Sequence, residues 1–405
     1  MNDNCVATVK IDQELCSRCL VCFSLCPFNA IVRQPEDGKV SIDIERCQVC
    51  GICNSACPVS AIDMAYYDYD GLLEQIRSAR NKSSVDTLVM MCRGNSPSRG
   101  EIERMLMEQG LKCDDFIVMR VPCAGRIPTP FVFKALKSGF TNILSIQCHE
   151  DFCRMKEGTK IEARRMILGK AVIKQLGYPD DTLRVVKYSR KAVWDSKECV
   201  GCGKCVFICP YDAIRSEPFS SPTIITEKCM GCGACQMVCP HNAIHVIGYR
   251  FEDILATCSS AAKSMRDRNN GPSVLVFSCQ WSEYSALDDP RKMLKGKNAL
   301  MLEVPCFKGM DPLHVVNAFS QGFDGVMAVV CSAKDCKLQN GRDAAERQLE
   351  VLMGYLKGQG LLDRFEMHEL SPRCEGEFAR KFETFRERIS LLPPCPLAET
   401  MGVEK

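Results

Sequence analysis

The sequence predicts an α/β plus α+β protein in which two small cysteine-rich modules alternate with two parallel-sheet α/β modules. The chain has 405 residues, which is longer than one ordinary domain. It contains 29 cysteines, and most of them stand in regular spacings. Landmark cysteines also recur 183 positions apart, such as Cys16 with Cys199 and Cys123 with Cys306. This period indicates a tandem duplication of a two-part unit.

The first module, residues 1–80, contains two copies of the spacing C-x2-C-x2-C-x3-C-P. This is the spacing of bacterial ferredoxins that bind two 4Fe-4S clusters, in which the fourth cysteine of each run ligates the cluster of the other run. The spacing therefore predicts a ferredoxin-like domain with two crossed ligand sets. One set is Cys16, Cys19, Cys22 and Cys57, and the other is Cys47, Cys50, Cys53 and Cys26.

The second module, residues 81–190, contains three short apolar runs that each end in a cysteine. They are VDTLVMMC (85–92), DFIVMRVPC (115–123) and TNILSIQC (141–148), and a fourth run, LRVVKYS, covers 183–189. Continuous apolar runs are typical of parallel strands buried on both faces, as in flavodoxin-like or Rossmann-like sheets. The carboxyl ends of such strands form the binding edge of the sheet. We therefore expect Cys92, Cys123 and Cys148 to converge there with Cys153.

The third module, residues 191–250, repeats the ferredoxin spacing. The crossing rule predicts two further 4Fe-4S ligand sets in it. One is Cys199, Cys202, Cys205 and Cys239, and the other is Cys229, Cys232, Cys235 and Cys209.

The fourth module, residues 251–405, repeats the α/β pattern. Its strand-like runs are SVLVFSC (273–279), ALMLEVPC (299–306) and DGVMAVVC (324–331), and FEMHEL covers 365–370. The equivalent cysteine set is Cys279, Cys306, Cys331 and Cys336. An apolar stripe at Ala345, Leu349, Leu352 and Leu356 predicts an amphipathic helix that faces the sheet. We expect the last residues to form an unpacked C-terminal tail.

Four thiolates at the edge of each α/β sheet suit either a 2Fe-2S cluster or zinc. Beside four redox clusters a redox-inert zinc would end the electron path, so we favour one or two 2Fe-2S clusters. Zinc or another type of cluster, and cysteines that bind no metal, remain the alternatives. Buried cysteines can simply pack as small apolar residues, but four that recur at the same places in two copies indicate a site.

The α/β module resembles a known family through VPCAGR (121–126), KALKSGF (134–140) and QCHEDFC (147–153). It is similar to the delta subunit of methyl-viologen-reducing hydrogenase. The resemblance implies a 2Fe-2S cluster on an α/β domain and electron transfer from a hydrogenase or formate dehydrogenase to heterodisulfide reductase. The sequence departs from the family where a further cysteine is common, since Asn95 and Ser282 occupy those places, and CFKG replaces CAGR in the second copy.

Other features exclude several classes of function. The formal net charge is only +2, so no global field attracts nucleic acid. No Walker A loop, complete dinucleotide fingerprint or GxSxG motif is present, and we predict no catalytic residue. We expect a non-catalytic electron-transfer subunit that contacts the other subunits of a redox complex. The alternatives are an assembly or activation factor for an anaerobic metalloenzyme and a cysteine-based disulfide reductase.

Neither a signal peptide nor a membrane-spanning run of about 18 apolar residues is visible. We therefore expect a cytoplasmic protein with no membrane span. Because oxygen damages exposed iron-sulfur clusters, we also expect an anaerobic cell.

Overall fold

The computed structural model describes residues 5–217, 219–266, 271–285, 294 and 296–397. The chain forms two compact units, Met1–Arg190 and Lys191–Lys405. Each unit begins with a small cysteine-rich module and continues into an α/β module.

The cysteine-rich module of the first unit consists of short strands and two one-turn helices. Its elements are β1 (Val9–Ile11), α1 (Val21–Leu25), β2 (Ile31–Arg33), β3 (Val40–Ile42), α2 (Ile52–Ala56) and β4 (Ile62–Met64). Strand β1 pairs antiparallel with β4, and β2 pairs antiparallel with β3. Each helix starts directly after a left-handed residue, Leu20 with φ 60° and Gly51 with φ 78°. This turn folds each cysteine run back on itself.

The α/β module of the first unit has one four-stranded parallel sheet. Its elements are α3 (Tyr69–Lys82), β5 (Thr87–Cys92), α4 (Arg99–Glu108), β6 (Ile117–Val121), α5 (Thr129–Lys137), β7 (Asn142–Cys148), α6 (Gly158–Gln175) and β8 (Leu183–Tyr188). The strand order is β6-β5-β7-β8. The direction of winding reverses between β5 and β7, so a switch point lies where Cys92 and Cys148 end their strands.

The burial of this sheet explains its sequence pattern. All six residues of β5 are buried, because helices cover both faces of a central parallel strand. Helix α4 packs Ile102 and Leu106 against Val89 and Leu144 of the sheet. Ser98 and Glu101 form a capping box that satisfies backbone N–H groups at the start of α4.

The second unit repeats these elements in the same order. Its cysteine-rich module comprises β9 (Ala192–Trp194), α7 (Lys204–Ile208), β10 (Ile214–Arg215), β11 (Thr223–Ile224), α8 (Ala234–Met237) and β12 (Ile244–Val246). Its α/β module comprises α9 (Phe251–Arg266), β13 (Val274–Cys279), β14 (Ala299–Val304), α10 (Leu313–Ser320), β15 (Gly325–Cys331), α11 (Gly341–Gly358), β16 (Phe365–Leu370) and α12 (Glu377–Ser390). The parallel order β14-β13-β15-β16 confirms the predicted fold class in both units.

The end of the chain differs from the prediction of an unpacked tail. Helix α12 packs Phe378, Phe382 and Phe385 against the sheet of the second unit. Beyond it Cys395 is 1% exposed, and the Arg364 guanidinium donates to the carbonyl of Pro394 over 3.3 Å. The prediction was wrong for residues 391–397, because Leu392 packs against this core and Cys395 is buried, although Leu391 is exposed. Residues 398–405 of the predicted tail lie outside the described residues.

Within the described ranges, no helix combines the length and the apolar character that a bilayer span requires.

Candidate metal centres

Two cavities in the first cysteine-rich module are lined by the crossed sets of cysteines. The one that we name the outer site of this unit is lined by Cys16, Cys19, Cys22 and Cys57. The one that we name the inner site is lined by Cys26, Cys47, Cys50 and Cys53. Each cavity is therefore lined by one complete crossed set of four cysteines.

The negative charges that the cysteine thiolates would bring to these cavities favour the binding of a positively charged group. At the outer site, burial raises the pKa of the Cys22 thiol, and the three other cysteines of the set add to the shift by repulsion. At the inner site, burial and then Cys50, Cys47 and Cys26 raise the pKa of Cys53. Four thiolates can share such a space only if cations balance them. The irons of an iron-sulfur cluster would supply that charge.

Backbone N–H groups also point at the sulfurs of these modules. The N–H of Ala30 donates to Cys26 Sγ over 3.3 Å, and that of Ala61 donates to Cys57 Sγ over 3.2 Å. In the second unit the N–H of Ala213 donates to Cys209 Sγ over 3.4 Å. Hydrogen bonds to sulfur stabilise the thiolate form and tune an iron-sulfur cluster. The donor set therefore fits 4Fe-4S clusters.

The second unit has the same two sites. Its outer site is a cavity of about 420 Å³ lined by Cys199, Cys202, Cys205 and Cys239. Its inner site groups Cys209, Cys229, Cys232 and Cys235, since burial and then the other three thiols raise the pKa of Cys235. Cys19 and Cys202 of the outer sites are exposed, whereas Cys50 and Cys232 of the inner sites are buried. In each unit the outer site therefore faces solvent.

A third group of cysteines, which we name the strand-end site, lies at the switch point of the first unit's sheet. Cys92 Sγ and Cys148 Sγ are 3.3 Å apart. Cys123 and Cys153 lie together beside Gly158, the first residue of α6. A Cβ at Gly158 would be 2.3 Å from Cys123 Sγ and 3.6 Å from Cys153 Sγ. After burial, repulsion from Cys148 adds to the raised pKa of Cys153, so the structure brings the four predicted cysteines together as one group.

The strand-end site of the second unit is built in the same way. A Cβ at Gly341, the first residue of α11, would be 3.0 Å from both Cys306 Sγ and Cys336 Sγ. The thiol of Cys331 interacts with both Cys279 and Cys336. The hydrogen bond from Cys331 lowers the pKa of Cys336 to about 6. Burial opposes this shift, and backbone N–H groups at the start of α11 add to it. A lowered pKa favours the thiolate, which is the form of cysteine that binds metal.

Two glycines that the sequence alone does not single out, Gly158 and Gly341, make room for two sulfurs at the start of a helix. Their signal is a separation of 183 positions, the same as that of the cysteines. Asn95, which occupies the place of a further cysteine in the family, is 4% exposed and donates to the carbonyl of Phe152 over 2.9 Å. The hydrogen bond with Cys92 and burial raise the pKa of Cys148, and a hydrogen bond from the Asn95 side chain opposes that shift.

In each unit the inner site adjoins the strand-end site. Repulsion from Cys50 contributes, after burial, to the raised pKa of Cys123. Arg165 joins the two modules, because its guanidinium donates to Ser55 Oγ over 2.8 Å and to the carbonyl of Gly125 over 2.7 Å. In the second unit a Cβ at Gly233 would be 2.9 Å from the Cα of Gly309. Outer, inner and strand-end sites therefore follow one another within each unit.

Among the residues that the structure describes, no group of three or more His, Cys, Asp or Glu is placed to hold a single metal ion.

Comparison with known proteins gives matches along most of the chain. The family described as "Methyl-viologen-reducing hydrogenase, delta subunit" matches residues 87–200 and 274–392. Two families described as "4Fe-4S dicluster domain" match residues 8–58 and 192–246.

Relatives of two kinds are similar to parts of the chain. The first kind consists of iron-sulfur subunits of F420-non-reducing hydrogenases. That of the vhc hydrogenase of Methanococcus voltae is 28% identical over 134 residues, which are 32% of this chain and 93% of that protein. That of Archaeoglobus profundus is 34% identical over 126 residues, 30% of this chain and 92% of that protein.

The second kind is a subunit of the ferredoxin:CoB-CoM heterodisulfide reductase of Methanosarcina mazei, which is 32% identical over 169 residues. These residues are 41% of this chain but only 21% of that relative. The two stretches that match the delta-subunit family make up more than half of the chain. The chain therefore belongs to the family of methyl-viologen-reducing hydrogenase delta subunits.

Proposed function

We propose that this protein is an iron-sulfur electron-transfer subunit. It relays single electrons between a partner oxidoreductase of the hydrogenase or formate dehydrogenase type and a heterodisulfide-reductase-like complex. The observation that carries the proposal is the row of three cysteine sites in each unit, from an exposed outer site to a buried strand-end site. Such a row supplies a path for electrons.

The proposed cofactors follow from the donor sets. The outer and inner sites of both units would hold four 4Fe-4S clusters, each with the crossed ligand set named above. The strand-end sites would hold one or two 2Fe-2S clusters. The grouping of four cysteines at the edge of the sheet supports this assignment, together with the 2Fe-2S cluster that the resemblance to the delta-subunit family implies.

The partners are proposed from the relatives. Those that match over nearly their whole length are hydrogenase iron-sulfur subunits, and another belongs to a heterodisulfide reductase. We propose that this chain joins complexes of these kinds, and that it does so in the cytoplasm. Its exposed outer sites are the places where electrons would be exchanged with a partner cluster.

The proposal is tested by purifying the tagged chain from its own cells under strict exclusion of oxygen. We expect about 20 irons per chain if all six sites are filled, and stable, stoichiometric co-purification of another oxidoreductase polypeptide. A content of about 8 irons or fewer would contradict the six-cluster assignment. Transient or substoichiometric association would instead favour an assembly or activation factor.

A further inference from the structure

A short 3-10 helix follows the second strand of each α/β module. In both units this helix contains one glycine and one basic residue, but the two residues occupy opposite positions in the two copies. In the first unit the helix is Ala124–Arg126, within the sequence Cys-Ala-Gly-Arg. In the second unit it is Phe307–Gly309, within Cys-Phe-Lys-Gly. Both helices start directly after a cysteine of the strand-end site and pass beside the inner site. The exchanged residues therefore lie between the strand-end site and the inner site of each unit.

In the first unit the cation is Arg126, which is 4% exposed. Its guanidinium covers Gly51, the residue that follows Cys50 in the inner site, since a Cβ at Gly51 would be 2.6 Å from Arg126 Cζ. Its Nη2 donates to the carbonyl of Tyr67 over 2.6 Å, which fixes the side chain there. The neighbouring position must be glycine, because a Cβ at Gly125 would be 2.4 Å from the carbonyl oxygen of Gly158.

In the second unit Gly309 occupies the position that corresponds to Arg126, and its backbone packs directly against the backbone of Gly233. A Cβ at Gly309 would be 2.7 Å from the Cα of Gly233 in the inner site, so no side chain fits. The cation is instead Lys308, one position earlier and 5% exposed. Its Nζ donates to the carbonyl of Gln339 over 2.5 Å. The exchange of glycine and cation thus preserves a buried positive charge beside the inner site.

The buried cation lies beside an inner-site ligand in both units. In the first unit the Arg126 guanidinium covers Gly51, which directly follows Cys50. In the second unit Lys308 directly precedes Gly309, where a Cβ would be 2.9 Å from the carbonyl oxygen of Cys232. Water and salt screen a buried charge much less than an exposed one. Reduction adds one negative charge to a cluster, so a buried cation beside it favours the reduced state.

We propose that Arg126 and Lys308 are positioning residues that raise the reduction potential of the inner cluster in their own unit. Electrons would then collect at the inner cluster, beside the strand-end site, rather than at the exposed outer cluster. This inference rests on the proposed function, because it assumes that the inner sites hold 4Fe-4S clusters.

The test is a redox titration of the full chain, purified without oxygen and followed by electron paramagnetic resonance. In Arg126→Gln we expect one 4Fe-4S cluster to become at least tenfold harder to reduce, which is a downward shift of about 59 mV for one electron. Arg126→Lys should largely restore its potential. Lys308→Gln and Lys308→Arg form the same pair for the second unit. Lys160→Gln, which removes an exposed lysine paired with Glu157, should change no potential.

The outcomes separate this inference from the function that it assumes. Full iron content with unchanged potentials in both glutamine variants would overturn it and leave the cations a purely structural role. Loss of one cluster from both glutamine variants, but from neither charge-conserving variant, would also overturn it, because the charge would then hold the cluster rather than tune it. A wild-type chain without 4Fe-4S signals would instead contradict the proposed function itself.

Discussion

Replacing Cys57 with serine is expected to remove the outer cluster of the first unit and to leave its inner cluster in place. Cys57 belongs in sequence to the run of Cys47, Cys50 and Cys53, yet it lines the cavity of Cys16, Cys19 and Cys22. A serine hydroxyl is a poor substitute for a thiolate ligand. The expected loss is about four irons per chain, measured by iron analysis of protein purified without oxygen.

Double variants decide which cluster is lost. If the sets are crossed, Cys16→Ser combined with Cys57→Ser still removes about four irons, because both residues serve one cluster, whereas Cys47→Ser combined with Cys57→Ser removes about eight. The reverse pattern would show that each run holds its own cluster. Cys113→Ser is the matched control. Cys113 is half-buried and lines none of the three cavities described above, so its loss should cost no iron.

The second large effect is expected from Gly158→Ala. A methyl group there would stand 2.3 Å from Cys123 Sγ, closer than real contacts allow, so the sulfur or the start of α6 would have to move. We expect the strand-end site of the first unit to lose its cluster, and with it about two irons and one 2Fe-2S signal in the resonance spectrum. The 4Fe-4S signals should persist.

The same helix position in the second unit provides a graded comparison. Gly341→Ala brings a methyl group to 3.0 Å from two sulfurs, so its effect should be smaller than that of Gly158→Ala. Gly354→Ala lies later in the same helix α11 with nothing within 4 Å, and it should leave every cluster intact. It should even stabilise the helix by about 1 kcal/mol, because alanine has the higher helix propensity. Equal iron in all three variants would show that the glycines do not make room for a cluster.

Much of this architecture could be predicted because its determinants are local. The spacing C-x2-C-x2-C-x3-C-P fixes a tight turn with a left-handed residue before each short helix. This residue is Leu20 in the first run and glycine in the other three, at Gly51, Gly203 and Gly233. The strands were recognisable because a central parallel strand such as β5 is apolar on both faces. Once their ends carry cysteines, the topology of a parallel sheet places those cysteines at one edge.

What could not be predicted depends on contacts between distant residues. The need for glycine at Gly158 arises from Cys123 and Cys153, which reach it from another loop. The position of Arg126 over Gly51 joins two modules that are separate in sequence. Glu162 looks like a solvent-facing helix residue, but Ser145 donates to its carboxyl over 2.6 Å in the core. Burial raises the pKa of Glu162 to about 8, and Ala345 stands at the matching helix position of the second unit.

The central claim is that inner and strand-end clusters are neighbours on one electron path. The most direct measurement is the paramagnetic resonance spectrum of the fully reduced chain, compared with that of Cys53→Ser, which removes an inner-site ligand. Neighbouring reduced clusters broaden each other's signals through magnetic interaction. The account predicts a broadened 2Fe-2S signal from the first unit in the wild-type chain and a sharp one in Cys53→Ser. An identical 2Fe-2S signal in both proteins, or none in either, would contradict it.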